Sequence, residues 1–239
     1  MDFINNSKYN IKNIFLYSFS CFFVFKGNSQ NIHVVRQFKE YCSTVSYDYS
    51  QRLVELRQII PGLIYDLRYA TKQNFTGRNL YENTFNSTYL RLPVALALKK
   101  VEEELEKYNY SLKIFDAYRP YSVTKRMWVL IHDDRYVANP ATGSGHNRGL
   151  AVDLTLVNRM TGKELNMGTN FDNFTDTAHL SFKKLPTDII KRRELLKSVM
   201  ELYGFKSLES EWWHYSWPNN KNYDVLDLNF KTLARKSCR

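Results

Sequence analysis

The chain has 239 residues, of which 44% are hydrophobic and 15% aromatic, and its formal net charge is +10 at pH 7. This composition, without low-complexity tracts or repeats, excludes a disordered or solenoid protein and favours one compact domain. Because the basic residues are spread along the chain, charge-driven binding to nucleic acid or to an anionic envelope surface is the least favoured interpretation. We expect no nucleic-acid partner.

The first predicted element is a secretory signal peptide over residues 1–29. Two lysines precede an apolar run of 12 residues from Ile14 to Phe25, and small residues suit cleavage near Ser29. The run is too short to span a bilayer of about 30 Å. We therefore expect an exported, periplasmic protein without stable membrane insertion, whose domain covers residues 30–239.

Three alternatives to cleavage stay open: a buried N-terminal helix, a retained anchor and a lipoprotein modified at Cys21. A cytoplasmic location is the corresponding alternative for the whole protein. Removal of residues 1–29 would take away three lysines and one aspartate and leave a net charge of +8. The basic character therefore belongs to the domain itself.

Hydrophobic periodicity predicts an α+β domain. The predicted elements are, in chain order, a helix over 91–108, a strand over 112–118, a helix over 121–133, a strand over 149–157, a helix over 188–203 and a strand over 211–217. Pro93 fits the first turn of the first helix, and Gly204 closes the third. No internal domain boundary is predicted.

Two cysteines, Cys42 and Cys238, lie near the two ends of the predicted domain. An exported protein could join them in a disulfide, and two unpaired thiols are the alternative. Neither cysteine has the spacing of a metal site.

The stretch "SGHNRGLAVDLTL" places His146 seven residues before Asp153. On one continuous strand these residues would be about 23 Å apart, at ~3.3 Å per residue. Glycines and an asparagine between 143 and 149 tolerate the positive φ that a turn requires, so His146 can fold back beside Asp153. A histidine and a carboxylate held together are two of the three protein ligands of a hydrolytic zinc site.

His214, in the short aromatic strand "EWWHYSW", is the best candidate for the third ligand among five histidines. Glu211 precedes it by three residues, and on a straight strand the two would face opposite ways. We therefore expect Glu211 at the strand's entrance, where it reaches the same cavity. Taken singly, each of these side chains could also be an ordinary loop, strand or capping residue.

Two motifs together carry a resemblance to a known family. "SGHNRGLAVD" fits Ser-x-His-x-x-Gly-x-Ala-x-Asp, and "EWWH" fits Glu-x-x-His. They resemble the zinc D-Ala-D-Ala metallopeptidases, whose fold is shared with lysostaphin-type enzymes and the hedgehog signalling domain. "YATKQNFTG", "FDAYRP", "DLTLVNRMTGKEL" and "MGTNFD" are similar, in order, to segments of the D-alanyl-D-alanine dipeptidases, including those associated with vancomycin resistance. The likeness covers about 61–217.

The resemblance implies a single α+β domain with a central, mainly antiparallel sheet flanked by helices. It implies one Zn²⁺ per chain, bound by His146, Asp153 and His214. It also implies that Glu211 is the general base and acid, and that Arg119 stabilises the transition state.

The same resemblance implies the substrate contacts. Asp172 would pair with the substrate's ammonium, Ser144 would bind its carboxylate end, and Tyr81 would be a second hydroxyl donor, although the segment after Gly77 departs in length from the family's pattern. The implied activity is hydrolysis of D-alanyl-D-alanine to two D-alanines in cell-wall peptide turnover or salvage. A D,D-carboxypeptidase or wall endopeptidase of the same fold and a non-catalytic zinc-bearing module are the alternatives, and the oligomeric state stays open.

Overall fold

The centre of the fold is a five-stranded sheet. The computed structural model describes residues 32–81 and 86–238, so the predicted signal peptide over 1–29 lies outside the described residues. The strands are β1 (Val34–Val35), β2 (Leu53–Glu55), β3 (Ile64–Tyr65), β4 (Tyr89–Arg91), β5 (Tyr110–Asp116), β6 (Ala151–Asn158), β7 (Lys206–Leu208), β8 (Glu211–Ser216) and β9 (Val225–Leu226). The helices are α1 (Phe38–Tyr47), α2 (Leu56–Ile59), α3 (Leu92–Glu106), α4 (Tyr121–Leu130), α5 (Gly145–Arg148), α6 (Thr187–Leu202) and α7 (Phe230–Arg235). In this part of the chain no helix has the length and apolarity needed to cross a membrane.

The central sheet has the order β3-β5-β6-β8-β7, with β3 parallel to β5 and the other pairs antiparallel. The predicted α+β class and the mainly antiparallel sheet are therefore confirmed. Two small sheets, β1 with β9 and β2 with β4, lie outside it. Strand β6 is the middle of the sheet, and seven of its eight residues are buried, as expected for a strand covered on both faces.

All six predicted elements are present, with ends shifted by a few residues. The first predicted helix corresponds to α3, which has Pro93 in its first turn. The strand predicted over 112–118 ends already at Asp116, where the pairing with β6 shifts register. The chain therefore leaves the sheet just before Arg119.

Cys42 and Cys238 form a disulfide, which confirms one of the two alternatives that the sequence left open. The bond fastens α1 to the segment that follows α7. It closes a loop that contains nearly the whole described domain, since the two cysteines are 196 positions apart.

Candidate functional site

The structure brings His146, Asp153 and His214 together at the centre of the sheet. Asp153 and His214 are direct partners in the pairing of β6 with β8, and His214 Nδ1 lies 2.9 Å from Asp153 Oδ1. His146 Nε2 lies 3.3 Å from both Asp153 Oδ2 and His214 Nδ1. The three ligand atoms all lie within 4.8 Å of one another, so the group could hold a metal ion.

His146 reaches the strands because it lies on α5, a one-turn helix where the sequence predicted only a turn. Ser144 begins this helix, and its Oγ accepts a hydrogen bond from the Asn147 amide at 3.1 Å. Gly149 ends the helix at φ 69°, where a Cβ would come within 2.6 Å of a leucine methyl. His146 Nδ1 donates to the Ala117 carbonyl oxygen at 2.7 Å. Because this bond requires the proton on Nδ1, the lone pair of Nε2 faces Asp153.

Asp153 is ionised in this arrangement. Burial favours its neutral form, but its contacts with His146 and His214 outweigh burial and hold the pKa of Asp153 well below its usual range. A permanent carboxylate beside two imidazoles suits a cation.

Glu211 is the first residue of β8, and its side chain lines the same cavity. Its Oε2 lies 4.0 Å from His214 Nδ1. The expected position at the strand's entrance is confirmed, and an irregularity in the β7–β8 pairing at this point frees Glu211 from strict alternation. Burial raises the pKa of Glu211 to about 7, against the opposing effect of His214.

Arg119 projects towards the cluster from the exit of β5. Its Nη2 lies 3.7 Å from Asp153 Oδ2, and Asp116 holds it through contacts of 2.9 Å to Nε and 2.8 Å to Nη2. Burial of Arg119 favours its neutral form, but the electrostatic interactions with Asp116 and with its other neighbours outweigh burial and hold the pKa of Arg119 well above its ordinary value. The Arg119 amide also donates to the His146 carbonyl oxygen, which ties the arginine's backbone to α5.

Asp172 enters the cavity from the loop between β6 and α6, in the left-handed region at φ 59°. Oδ1 accepts a hydrogen bond from the Tyr69 hydroxyl at 2.9 Å, while the buried Oδ2 makes none within the described residues. Burial raises the pKa of Asp172 to about 7, and the charge of Asp153 acts in the same direction. An unpaired buried carboxylate oxygen is a receptor for a cationic group.

The two remaining predicted residues differ in position. Ser144 lines the cavity, and its Oγ can still donate its proton while it accepts from Asn147. The Tyr81 hydroxyl instead donates to Asp116 and is not among the groups that line the cavity. This geometry supports a role for Tyr81 behind Arg119 and not the predicted contact with substrate.

The structure adds three residues that sequence reasoning did not assign. Asp116 holds Arg119, Tyr69 holds Asp172, and Asn147 donates to the Arg119 carbonyl oxygen at 2.8 Å. The signal for Asp116 was its position inside the apolar strand "LKIFDAY", where an unpaired acid would be costly. No local pattern distinguishes Tyr69 or Asn147.

The site lines a cavity of about 300 Å³. This volume is at the lower end of the range of small-molecule sites, which is roughly 300–1,000 Å³. Within the described residues, the metal-binding group, Glu211, Arg119 and Asp172 all meet in this one space.

Comparison with known proteins gives a consistent result. The model of the Peptidase M15 family, described as D-Ala-D-Ala dipeptidase, matches residues 49–233. The D-alanyl-D-alanine dipeptidase of Escherichia coli (strain K12) is 34% identical over 178 residues, which cover 74% of this chain and 91% of that protein. The enzyme of the same name from Enterococcus faecalis is 32% identical, with 67% and 88% covered. Among solved structures, the LD-carboxypeptidase LdcB is similar at 23% identity and a TM-score of 0.40, over 72% of this chain and 70% of that one.

Proposed function

The chain belongs to the Peptidase M15 family of D-Ala-D-Ala dipeptidases, and on this premise we propose that it hydrolyses D-alanyl-D-alanine to two D-alanines with the help of zinc. One observation carries the proposal. A three-ligand group, a glutamate, an arginine and an unpaired aspartate oxygen converge on a cavity of about 300 Å³. Each of these groups has a task in the cleavage of a free dipeptide.

The donor set fits zinc. Two imidazole nitrogens and one carboxylate are a usual three-ligand set for a catalytic zinc site, which keeps a further position open. The hydrogen bond from His146 Nδ1 to Ala117 fixes the tautomer that leaves Nε2 free, as a ligand requires. When bound, zinc would polarise the scissile carbonyl and make water more acidic.

Glu211 would accept the proton of the attacking water and return it to the leaving amine. The water oxygen bonds to the carbonyl carbon, the C–N bond breaks, and the proton from Glu211 completes the amino group of the second D-alanine. The position of Glu211 at the cavity rim, 4.0 Å from His214, leaves its carboxylate beside the reacting atoms.

Arg119 would stabilise the negative charge that develops on the carbonyl oxygen. Its guanidinium is fixed by Asp116 before substrate binds, so no reorganisation is needed at the moment of reaction. This preorganisation is the main electrostatic contribution of the chain's own residues.

Asp172 would select the free dipeptide by pairing with its ammonium group. In a peptide-bond substrate that lacks an ammonium, the buried Oδ2 would stay unpaired, which costs binding free energy. Ser144 would donate to the carboxylate at the other end. A contact between Asp172 and an ammonium would therefore favour a dipeptidase over a carboxypeptidase or an endopeptidase.

The experiment measures release of free alanine from D-Ala-D-Ala, L-Ala-L-Ala and N-acetyl-D-Ala-D-Ala by the purified zinc-loaded protein. We expect cleavage of the free D,D-dipeptide alone and its loss in Glu211→Gln. The matched control is Glu209→Gln, because Glu209 lies outside the cavity and binds the Ser181 amide. Cleavage of the acetylated substrate would indicate a carboxypeptidase, and zinc binding without cleavage would indicate a binding module.

We further propose that the protein is exported and acts in the turnover or salvage of wall peptides. The Cys42–Cys238 disulfide supports export, because such bonds persist in oxidising compartments. The test is fractionation of cells that produce the protein, followed by sequencing of its N-terminus. A protein that starts near Gln30 in the periplasmic fraction is expected, and an unprocessed cytoplasmic protein with free thiols would contradict export.

A further inference from the structure

A single buried arginine, Arg193 on α6, binds both ends of the loop that carries Asp172. Arg193 is 4% exposed. Its Nε donates to the Met167 carbonyl oxygen at 2.7 Å, and its Nη1 donates to those of Thr177 and His179 at 3.0 and 3.1 Å. Met167 precedes Asp172 by five residues and Thr177 follows it by five. One guanidinium group therefore fixes the separation of the two ends of this loop.

The loop over 167–179 has further supports: the Phe171 ring packs against those of Tyr69, Phe115 and Trp213, and the Tyr136 hydroxyl donates to the Phe174 carbonyl oxygen at 3.1 Å. Its one regular element is a 3₁₀ turn over Asp176–Ala178. The side chain of Trp212, on β8, donates from Nε1 to Thr169 Oγ1 at 2.7 Å, and the Arg193 guanidinium lies 5.7 Å from the Trp212 ring. Arg193 and Trp212 thus form one buried support beneath the loop.

Arg193 is well suited to this role because its charge has no competing partner. Among the described residues it forms no ion pair, and its Nε and Nη1 donate to carbonyl oxygens of the loop, while the buried Nη2 has no hydrogen-bond partner. Burial lowers the pKa of Arg193 to about 10, so the group is cationic at neutral pH. Hydrogen bonds from a charged donor are stronger than neutral ones, and the rigid fork of arginine spans two sites that a lysine cannot.

The Asp172 carboxylate depends on this support. Its backbone is in the left-handed region, and its side chain is held by the Tyr69 hydroxyl, with a further contribution from the backbone amide of Phe75. A shift of the loop ends would move the unpaired Oδ2, and a misplacement of 1 Å at a binding group can cost about a hundredfold in rate.

We propose that Arg193 is a positioning residue that places Asp172 for the substrate's ammonium and thereby contributes to the preference for a free dipeptide. This inference rests on the proposed function. It assigns to α6, which lies outside the cavity lining, a part in substrate selection.

The test is a double-mutant cycle with Arg193→Lys, Asp172→Asn and the combined variant, assayed for kcat and KM on D-Ala-D-Ala. Arg193→Lys should raise KM at least about tenfold and change kcat less than about threefold. In the Asp172→Asn background, Arg193→Lys should raise KM by less than about twofold, because the effect of Arg193 on KM depends on the Asp172 carboxylate. An additive effect, or a fall in kcat at constant KM, would overturn the inference.

The matched control is Arg159→Lys, since Arg159 is half exposed and pairs with Glu106 on α3 at 2.8 Å. Its kinetics should match those of the parent within about twofold. If Arg193→Lys fails to fold, Thr169→Val removes the Trp212 bond from the same loop, and an unchanged KM in that variant would overturn the inference.

Hydrogen exchange separates this inference from the proposed function. Amides of the loop over 167–179 should exchange faster in Arg193→Lys than in Arg159→Lys, with or without substrate. Unchanged exchange would overturn the role of Arg193, whereas faster exchange together with absence of hydrolysis by the parent protein would overturn the proposed function and leave only the support of the loop by Arg193.

Discussion

Replacing Asp172 with asparagine should make the metal-free protein more stable at neutral pH while it weakens substrate binding. Burial raises the pKa of Asp172 from 3.8 to about 7 in the folded protein. Between these two pH values the folded state holds a proton that the unfolded chain has released. Stability therefore falls as pH rises through this window, because the folded state binds more protons.

The size of the effect follows from the pKa shift. A shift of about 3 units corresponds to at most about 4 kcal/mol, at 1.36 kcal/mol per unit. Water in the cavity reduces this value, so we expect Asp172→Asn to gain about 1–3 kcal/mol at pH 8. At about 2–4 °C per kcal/mol for a domain of this size, the Tm should rise by roughly 2–12 °C. The asparagine oxygen can still accept the bond from Tyr69.

Calorimetry of both proteins in EDTA, between pH 4.5 and pH 8, measures this difference. The gain should shrink towards pH 4.5, and saturating zinc should reduce it, because a nearby cation stabilises the carboxylate. Asp176→Asn, an exposed change in the same loop, should stay within about 0.5 kcal/mol throughout. If Asp172→Asn is less stable than the parent at pH 8, or its effect does not depend on pH, the reasoning about burial is wrong.

Three further outcomes are expected. Glu211→Gln should lower kcat about 10²–10⁴-fold while the protein retains bound zinc, as measured by metal analysis. Asp116→Asn should lower the free energy of unfolding by about 3–5 kcal/mol, because it leaves Arg119 buried without its main partner. It should also lower kcat. Denaturant titration measures the first effect, and steady-state kinetics measures the second. Cys42→Ser, which removes the bond to Cys238, should lower the free energy of unfolding by about 2–5 kcal/mol without a change in KM. A Tm close to that of the parent protein would contradict this prediction.

The sequence predicted the strands that carry the site residues well, because strong periodic patterns of hydrophobic residues identify these strands. The strand predicted over 149–157 contained Asp153, and the antiparallel pairing of β6 with β8 places His214 directly opposite it. Glu211 was expected at the start of β8 because strict alternation would turn it away from His214, and the irregular β7–β8 pairing agrees with that position. These residues lie on strands, where local pattern and side-chain direction are tightly coupled.

The residues that hold the site side chains in position could not be predicted in the same way. Asn147 and Arg193 act through contacts with residues more than 20 positions away in the chain. Asp116 binds Arg119 three residues away, but it also binds Tyr81, which is 35 positions away. Helix α5 was missed because four residues are too few for a periodic signal. Tyr81 was assigned to the substrate from the resemblance alone, whereas its hydroxyl binds Asp116.

The charged groups that line the cavity affect both its preference for a free dipeptide and the stability of the metal-free protein. Although the chain carries a net charge of +10, the cavity is lined by four acidic residues and two arginines, so its excess is two negative charges when Asp172 and Glu211, each with a pKa of about 7, are both ionised. A divalent cation balances that excess. A zwitterionic dipeptide then adds no net charge. An N-acylated dipeptide brings the same carboxylate without the ammonium, so it adds one negative charge to the cavity and leaves Asp172 unpaired, which repulsion and desolvation both disfavour. The burial that raises the pKa of Asp172, and so destabilises the metal-free protein, is therefore the same feature that favours an ammonium group in the occupied site.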